Sequence, residues 1–182
     1  MFPQKNVKRK HYIAPYVDGG ATPAESAWLP LGDGITDISD STDEQTDDKA
    51  YYSGDGTVTT RITGIAGSYD FSGDYLAEDP AQALIEDMKY KLGAGRKVWH
   101  RVIRSDGKKQ WVGHATVSGI VAGSGAAETD EEFACSIKFD QIPIESAPGG
   151  ASAQSAALNS AIVDETPPTS SAGKNSKKED TK

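Results

Sequence analysis

Cysteine occurs once, at Cys135, which excludes an intrachain disulfide and a zinc site built on cysteines. No window approaches the 18 consecutive apolar residues of a membrane span. The start, "MFPQKNVKRKHYIAPYV", is basic but is not followed by an apolar run of signal-peptide length. Bases are outnumbered: 19 Lys and Arg stand against 27 Asp and Glu, a formal net charge of −8. Gripping nucleic acid relies on Lys and Arg releasing counterions from phosphates. A net acidic chain better suits a surface that DNA passes without adhering. There is no G-x-S-x-G elbow, no phosphate loop with its Lys and no H-E-x-x-H. "GAGRK" follows a helix rather than a strand, so it is no dinucleotide fingerprint. The sequence makes no positive case for an enzyme.

What is present favours strands and turns. The 182 residues include 19 glycines, with many Thr, Val, Ile and Tyr. The sequence divides into a folded body, residues 1–146, and a low-complexity tail, 147–182. The tail is rich in Ala, Ser, Gly, Pro and Lys, with Leu158, Ile162 and Val163 its only large apolar residues. It has too little apolar surface to offset its ordering entropy and reads as disordered.

In the body, "KHYIAPYVDG" reads as a first strand. Residues 18–56 read as a long irregular connection, with an acidic loop at 33–52. "TVTTRITGIAG" and "SYDFSGDYL" read as strands. Val58, Thr60, Ile62 and Gly64 fall on one face of the first, against Thr57, Thr59, Arg61 and Thr63. "EDPAQALIEDMKYKLGAG" reads as the one helix. Asp79 is its N-cap, Pro80 its first residue and Gln82 the third after the cap. Ala81, Leu84, Ile85, Met88 and Leu92 form an apolar stripe, and Gly93 ends the helix. "RKVWHRVIR" and "QWVGHATVSGIVAG" read as a hairpin turning at Asp106-Gly107. In "FACSIKFDQIPIE", Phe133, Cys135, Ile137 and Phe139 alternate with polar residues, which places Cys135 in the core. The expected architecture is mainly β: a sandwich or barrel with one flanking α-helix.

"TDISDSTDEQTDDK", Thr36–Lys49, carries six acids before its only base. As a calcium loop it fails, because the sharp-turn glycine is missing and Asp37, Asp40 and Asp43 recur every third residue. A solvated polar loop is the plainer reading. His100 and His114 fall in facing strands, as a metal or catalytic pair or as ordinary surface residues. Cys135 reads as core filler rather than nucleophile. Arg96, Lys97, Arg101, Arg104, Lys108 and Lys109, with Trp99 and Trp111 between them, suggest either nucleic-acid stacking or a charged exposed hairpin. A third reading takes both signs together. Residues 18–48 hold nine acids and no base; residues 96–109 hold six bases and one acid; residues 5–11 hold four bases. Opposite blocks on one chain favour head-to-tail contact between copies. The candidate contacts are Lys8, Arg9, Lys10, Asp37, Asp40, Asp43, Glu44, Asp47, Asp48, Arg96, Lys97, Arg101 and Arg104. No catalytic, cofactor-binding or metal-binding residue is assigned.

A basic first strand, a long loop, "TGIAGSYDFSGDYLAEDPAQALIEDM", a hairpin and a final strand together resemble the tail tube protein (major tail protein) of long non-contractile-tailed bacteriophages. The resemblance covers residues 1–146 and rests on element order. It implies a virion protein made in the host cytoplasm. It implies hexameric rings stacked into a tube through which genomic DNA passes. Its partners would be copies of itself and other tail proteins (tape measure, tail terminator, distal tail), with no membrane and no cofactor. It implies an inter-ring loop at Asp33–Tyr52 and an N-terminal arm at Lys5–Tyr12. The chain departs from relatives with a C-terminal immunoglobulin-like domain, for which its last 36 residues are too short. Alternatives are a tail terminator, a type VI secretion tube subunit, or a monomeric β-sandwich that binds carbohydrate or protein.

Overall fold

The structure is a computed structural model that describes residues 3–52 and 55–149. The predicted tail from residue 150 onward lies outside the described residues. In chain order the strands are β1 (Lys10–Pro15), β2 (Leu29–Pro30), β3 (Ile35–Asp40), β4 (Asp43–Lys49), β5 (Thr59–Ala66) and β6 (Ser68–Asp74). Helix α1 (Pro80–Glu86) follows, then β7 (Lys97–Ile103), β8 (Gln110–Ala122), β9 (Glu132–Phe139) and β10 (Ile144–Ser146). The protein is mainly β, a curled sheet with one helix packed against it, in line with the expected class. Among the described residues no helix is long and apolar enough to cross a membrane.

One antiparallel sheet runs β2-β1-β7-β8-β9-β6-β3, with β10 added beside β8. Its curl follows from one contact. His11 of β1 and Phe71 of β6 stand four places apart in strand order, yet their ring centres are 5.2 Å apart. The sheet therefore bends round until its ends share one core. That core holds Ile13, Val98, Val102, Ala115, Val117, Phe133, Cys135 and Ile137, with Ala81, Ile85 and Met88 supplied from α1 and the turn after it. The β9 alternation holds: Phe133, Cys135, Ile137 and Phe139 are all buried. On its other face the sheet is polar over β8, β9 and β6. Thr116 pairs with Lys138 and Lys138 with Ser68, while Ser118 pairs with Ser136 and Ser136 with Asp70.

Two expectations are corrected. The acidic stretch is not irregular: β3 and β4 are strands. β3 carries only Ile35 and Ile38 as half-buried residues, so its strand state comes from backbone pairing with β6 rather than from propensity. The helix also stops early. Asp79 caps it as expected, accepting from the Gln82 N–H at 2.9 Å, but after Glu86 the chain tightens. Met88, Lys89 and Lys91 each donate to the carbonyl three residues before. That tighter winding rotates the stripe: Met88 is buried, while Leu92, placed in the same stripe by helical spacing, is 89% exposed.

Candidate self-association surface

β4 and β5 form a sheet of their own, a two-stranded ribbon separate from the main sheet. It continues the β3–β6 pair beyond Asp40 and Tyr69. At its base Ile65 and Ala66 share a cleft with Thr116, Ser118, Lys138 and Asp140. Seven residues of strand extend about 23 Å, and a lone two-stranded ribbon is marginal in water. This one carries its own apolar face. Gln45 pairs with Gly64 but Thr46 pairs with Ile62, so Thr63 is an extra residue, a β-bulge. Simple alternation sets Ile62 and Ile65 on opposite faces. The bulge brings them to the same face, beside Glu44, Thr46 and Asp48. Both isoleucines are about half exposed.

Charge divides between the two faces. The ribbon's bases, Lys49 and Arg61, share the face opposite the isoleucines with Asp43 and Asp47. Lys49 sits 2.7 Å from Asp47, and Arg61 is the cross-strand partner of Asp47. Glu44 and Asp48 therefore flank the isoleucines with no base among the ribbon's residues on that face. Asp37 and Asp40 belong to β3: Asp37 accepts from Ser39, and Asp40 holds the turn into β4 by accepting from the N–H and hydroxyl of Thr42. The six acids of the run thus split between a body strand and the ribbon. Among the described residues no group of three or more His, Cys, Asp or Glu is placed to hold a metal ion.

The basic candidates are mostly partnered inside the chain. Arg101 is buried, which corrects its reading as a surface contact. Its guanidinium lies 4.5 Å from the centre of the Tyr12 ring and 4.6 Å from that of Trp28. Its Nη1 donates to both oxygens of Glu25 at 2.8 Å, which holds the Glu25 carboxyl below its usual range. Arg104 pairs with Asp106, whose carboxyl is held far below its usual range. Lys97 pairs with Asp140 at 3.2 Å, and Lys109 pairs with Glu145. Arg96 donates to the carbonyls of Lys89 and Lys91 at 2.6 and 2.7 Å. In the N-terminal segment Lys8 donates to Gln4, Arg9 is half-buried, and Lys10 is exposed opposite Ile103.

The histidines are not surface residues either. His100 is fully buried, and its Nε2 lies 3.3 Å from Nδ1 of buried His11. His114 is on the opposite face against Trp99, with ring centres 4.0 Å apart. The signal for His100 is in the sequence: it alternates with Trp99 and Arg101 and shares its face with Val98 and Val102. Cys135 lies in the core with its thiol pushed up to about 12 by burial.

No family model and no curated protein matches the sequence. Solved structures do match by fold. A chain from the tail of an empty gene transfer agent particle, refined helically with C6 symmetry, superposes with a TM-score of 0.57 at 13% identity. The match covers 80% of this chain and 100% of that one. A chain from the virion of a native gene transfer agent particle superposes with a TM-score of 0.57 at 12% identity over the same shares of the two chains. This protein has the tail-tube-like fold of those particle proteins.

Proposed function

We propose that the chain is the structural subunit of a virus-like tail, assembling into stacked hexameric rings that form a tube for DNA delivery. The observation that carries this reading is the β4–β5 ribbon. It is an arm with acidic flanks whose apolar face is left about half exposed beyond the cleft at its base, and a second copy supplies a cover for it. The fold shared with a tail of C6 symmetry supports a six-membered ring. The polar sheet face supports a lumen: Thr116, Ser118, Ser136, Lys138 and Asp70 offer hydroxyls and mixed charge, not a basic track. The net charge of −8 repels phosphates along the passage. Other tail proteins would set the tube's length and close its ends, and the site of action is the virion tail. The body at residues 1–146 forms the ring.

The test is negative-stain electron microscopy of the purified full chain across a concentration series. Rings or hollow tubes support the reading. Single small particles at every concentration, with no oligomer by light scattering, remove it.

A further inference from the structure

The ribbon's isoleucine face requires a counterpart with two apolar groups and basic neighbours. The turn after α1 has that composition. Tyr90 and Leu92 are 91% and 89% exposed, the most exposed large apolar side chains among the described residues apart from Tyr52. Lys89, whose Nζ lies 6.0 Å from the Tyr90 ring centre, Lys91 and Arg96 are the bases of the same segment. The nearest acids along the chain are Asp87 and Glu86, and Glu86 is engaged by the Tyr75 hydroxyl. Exposed apolar groups of this size in a polar rim mark a contact surface.

The two surfaces lie at opposite ends of the sheet. β6 runs from Ser68, where the ribbon leaves, to Asp74. Near that far end Gly73 pairs with Phe133, Phe133 pairs with Ala122, and the Ala122 carbonyl accepts from Lys89 at 3.3 Å. An arm at one end and its complement at the other make a heterologous contact, which propagates from copy to copy instead of closing a twofold pair.

We propose that the Ile62/Ile65 face of the ribbon seats on the Tyr90/Leu92 knob of a second copy, with Glu44 and Asp48 facing Lys91 and Arg96. This rests on the tube reading and names its receiving surface. The isoleucines cover the tyrosine and leucine, and the rim charges set register and orientation. The turn's tight winding is what presents the knob, and the bulge at Thr63 is what aligns the isoleucines.

The test is cysteine cross-linking in the full chain. Buried Cys135 leaves the background silent. A disulfide requires Cα atoms within about 7 Å, so only residues in contact join. Ile62→Cys mixed with Leu92→Cys, oxidised mildly, is expected to give a covalent dimer, and the double variant a multimer ladder. Neither single variant alone is expected to cross-link. Dimer from Ile62→Cys alone overturns the head-to-tail arrangement. Cross-linking to Val7→Cys and not to Leu92→Cys overturns the knob in favour of the basic N-terminal segment. Tubes with no cross-link overturn the docking and leave the tube reading standing; a monomer at all concentrations overturns both. As a second measurement, Glu44→Lys with Asp48→Lys is expected to raise the concentration needed for assembly about tenfold or more. Adding Lys91→Glu is expected to restore part of it, and no restoration counts against the charge pairing.

Discussion

Nδ1 of His11 and Nε2 of His100 face each other at 3.3 Å inside a wall of Tyr69, Phe71 and Phe139. The outward nitrogens, His11 Nε2 and His100 Nδ1, have no partner among the described residues. One ring donates and the other accepts, and each neutral imidazole carries one proton. Whichever donates, one outward N–H is left buried without an acceptor, at a cost of about 1–3 kcal/mol. The pair ties the first strand to β7, so it bears on stability directly.

Acid should loosen the fold through this pair. Burial, with help from Arg9 and against Asp40, lowers the His11 pKa to about 4, and burial, with His11 beside it, lowers that of His100 well below its usual value. Both are neutral above about pH 6.5. As pH falls below that, the unfolded chain takes up protons that the folded chain refuses, so stability falls until the folded pKa is reached. For His11 alone the loss is roughly 3 kcal/mol between about pH 6.5 and 4. Urea midpoints at pH 7.5 and 5.0 should separate for the native protein and converge for His11→Phe/His100→Phe. An equal separation in both proteins would remove the histidines as the cause.

Gln82 should be intolerant of charge. Its side chain accepts from the Leu76 N–H at 2.8 Å and donates to the carbonyls of Asp33 and Asp74 at 2.9 and 3.3 Å, fully buried. Gln82→Ala leaves those groups unpaired, at roughly 2–4 kcal/mol. Gln82→Glu keeps the shape but points a carboxylate at two carbonyls and should cost more. Thermal melts at pH 7.5 order the two variants, and Gln82→Glu melting at or above Gln82→Ala would contradict the assigned bonds.

Gly73→Ala should detach β3. A Cβ there would stand 2.1 Å from the Gly34 carbonyl oxygen, where β3 slips register against β6. The strand has to move away, at roughly 2–4 kcal/mol, and the ribbon's root moves with it. Amide exchange should quicken across Ile35–Asp40 in the variant. Unchanged protection there would show that the strands adjust without parting.

Arg101→Glu should disturb the fold before any contact between copies. It puts a carboxylate beside Glu25 and removes the cation lying 4.5 and 4.6 Å from the Tyr12 and Trp28 rings. Arg101→Lys retains charge but not the planar stacking, and should cost about 1–2 kcal/mol. Near-ultraviolet circular dichroism of the Trp28 region, with melting, reports both. A native spectrum and melting point for Arg101→Glu would return this residue to the surface.

Local rules were enough for much of this protein. Alternation assigned Cys135 to the core, the Asp106-Gly107 pair a turn, and Asp79 before Pro80 a cap, because each depends on neighbours within a few residues. The same alternation held the clue to His100, flanked at two-residue spacing by Val98 and Val102. What sequence could not reach depends on partners far along the chain. β3 is a strand because β6 offers its backbone, not because "ITDISD" favours one. Ile65 joins Ile62 because of one extra residue against β4, and Leu92 leaves the apolar stripe because the last turn winds tighter. Arg101 looks like surface charge in sequence. It is buried because Glu25, 76 residues away, compensates its charge, and charge burial is decided by what the tertiary structure brings alongside.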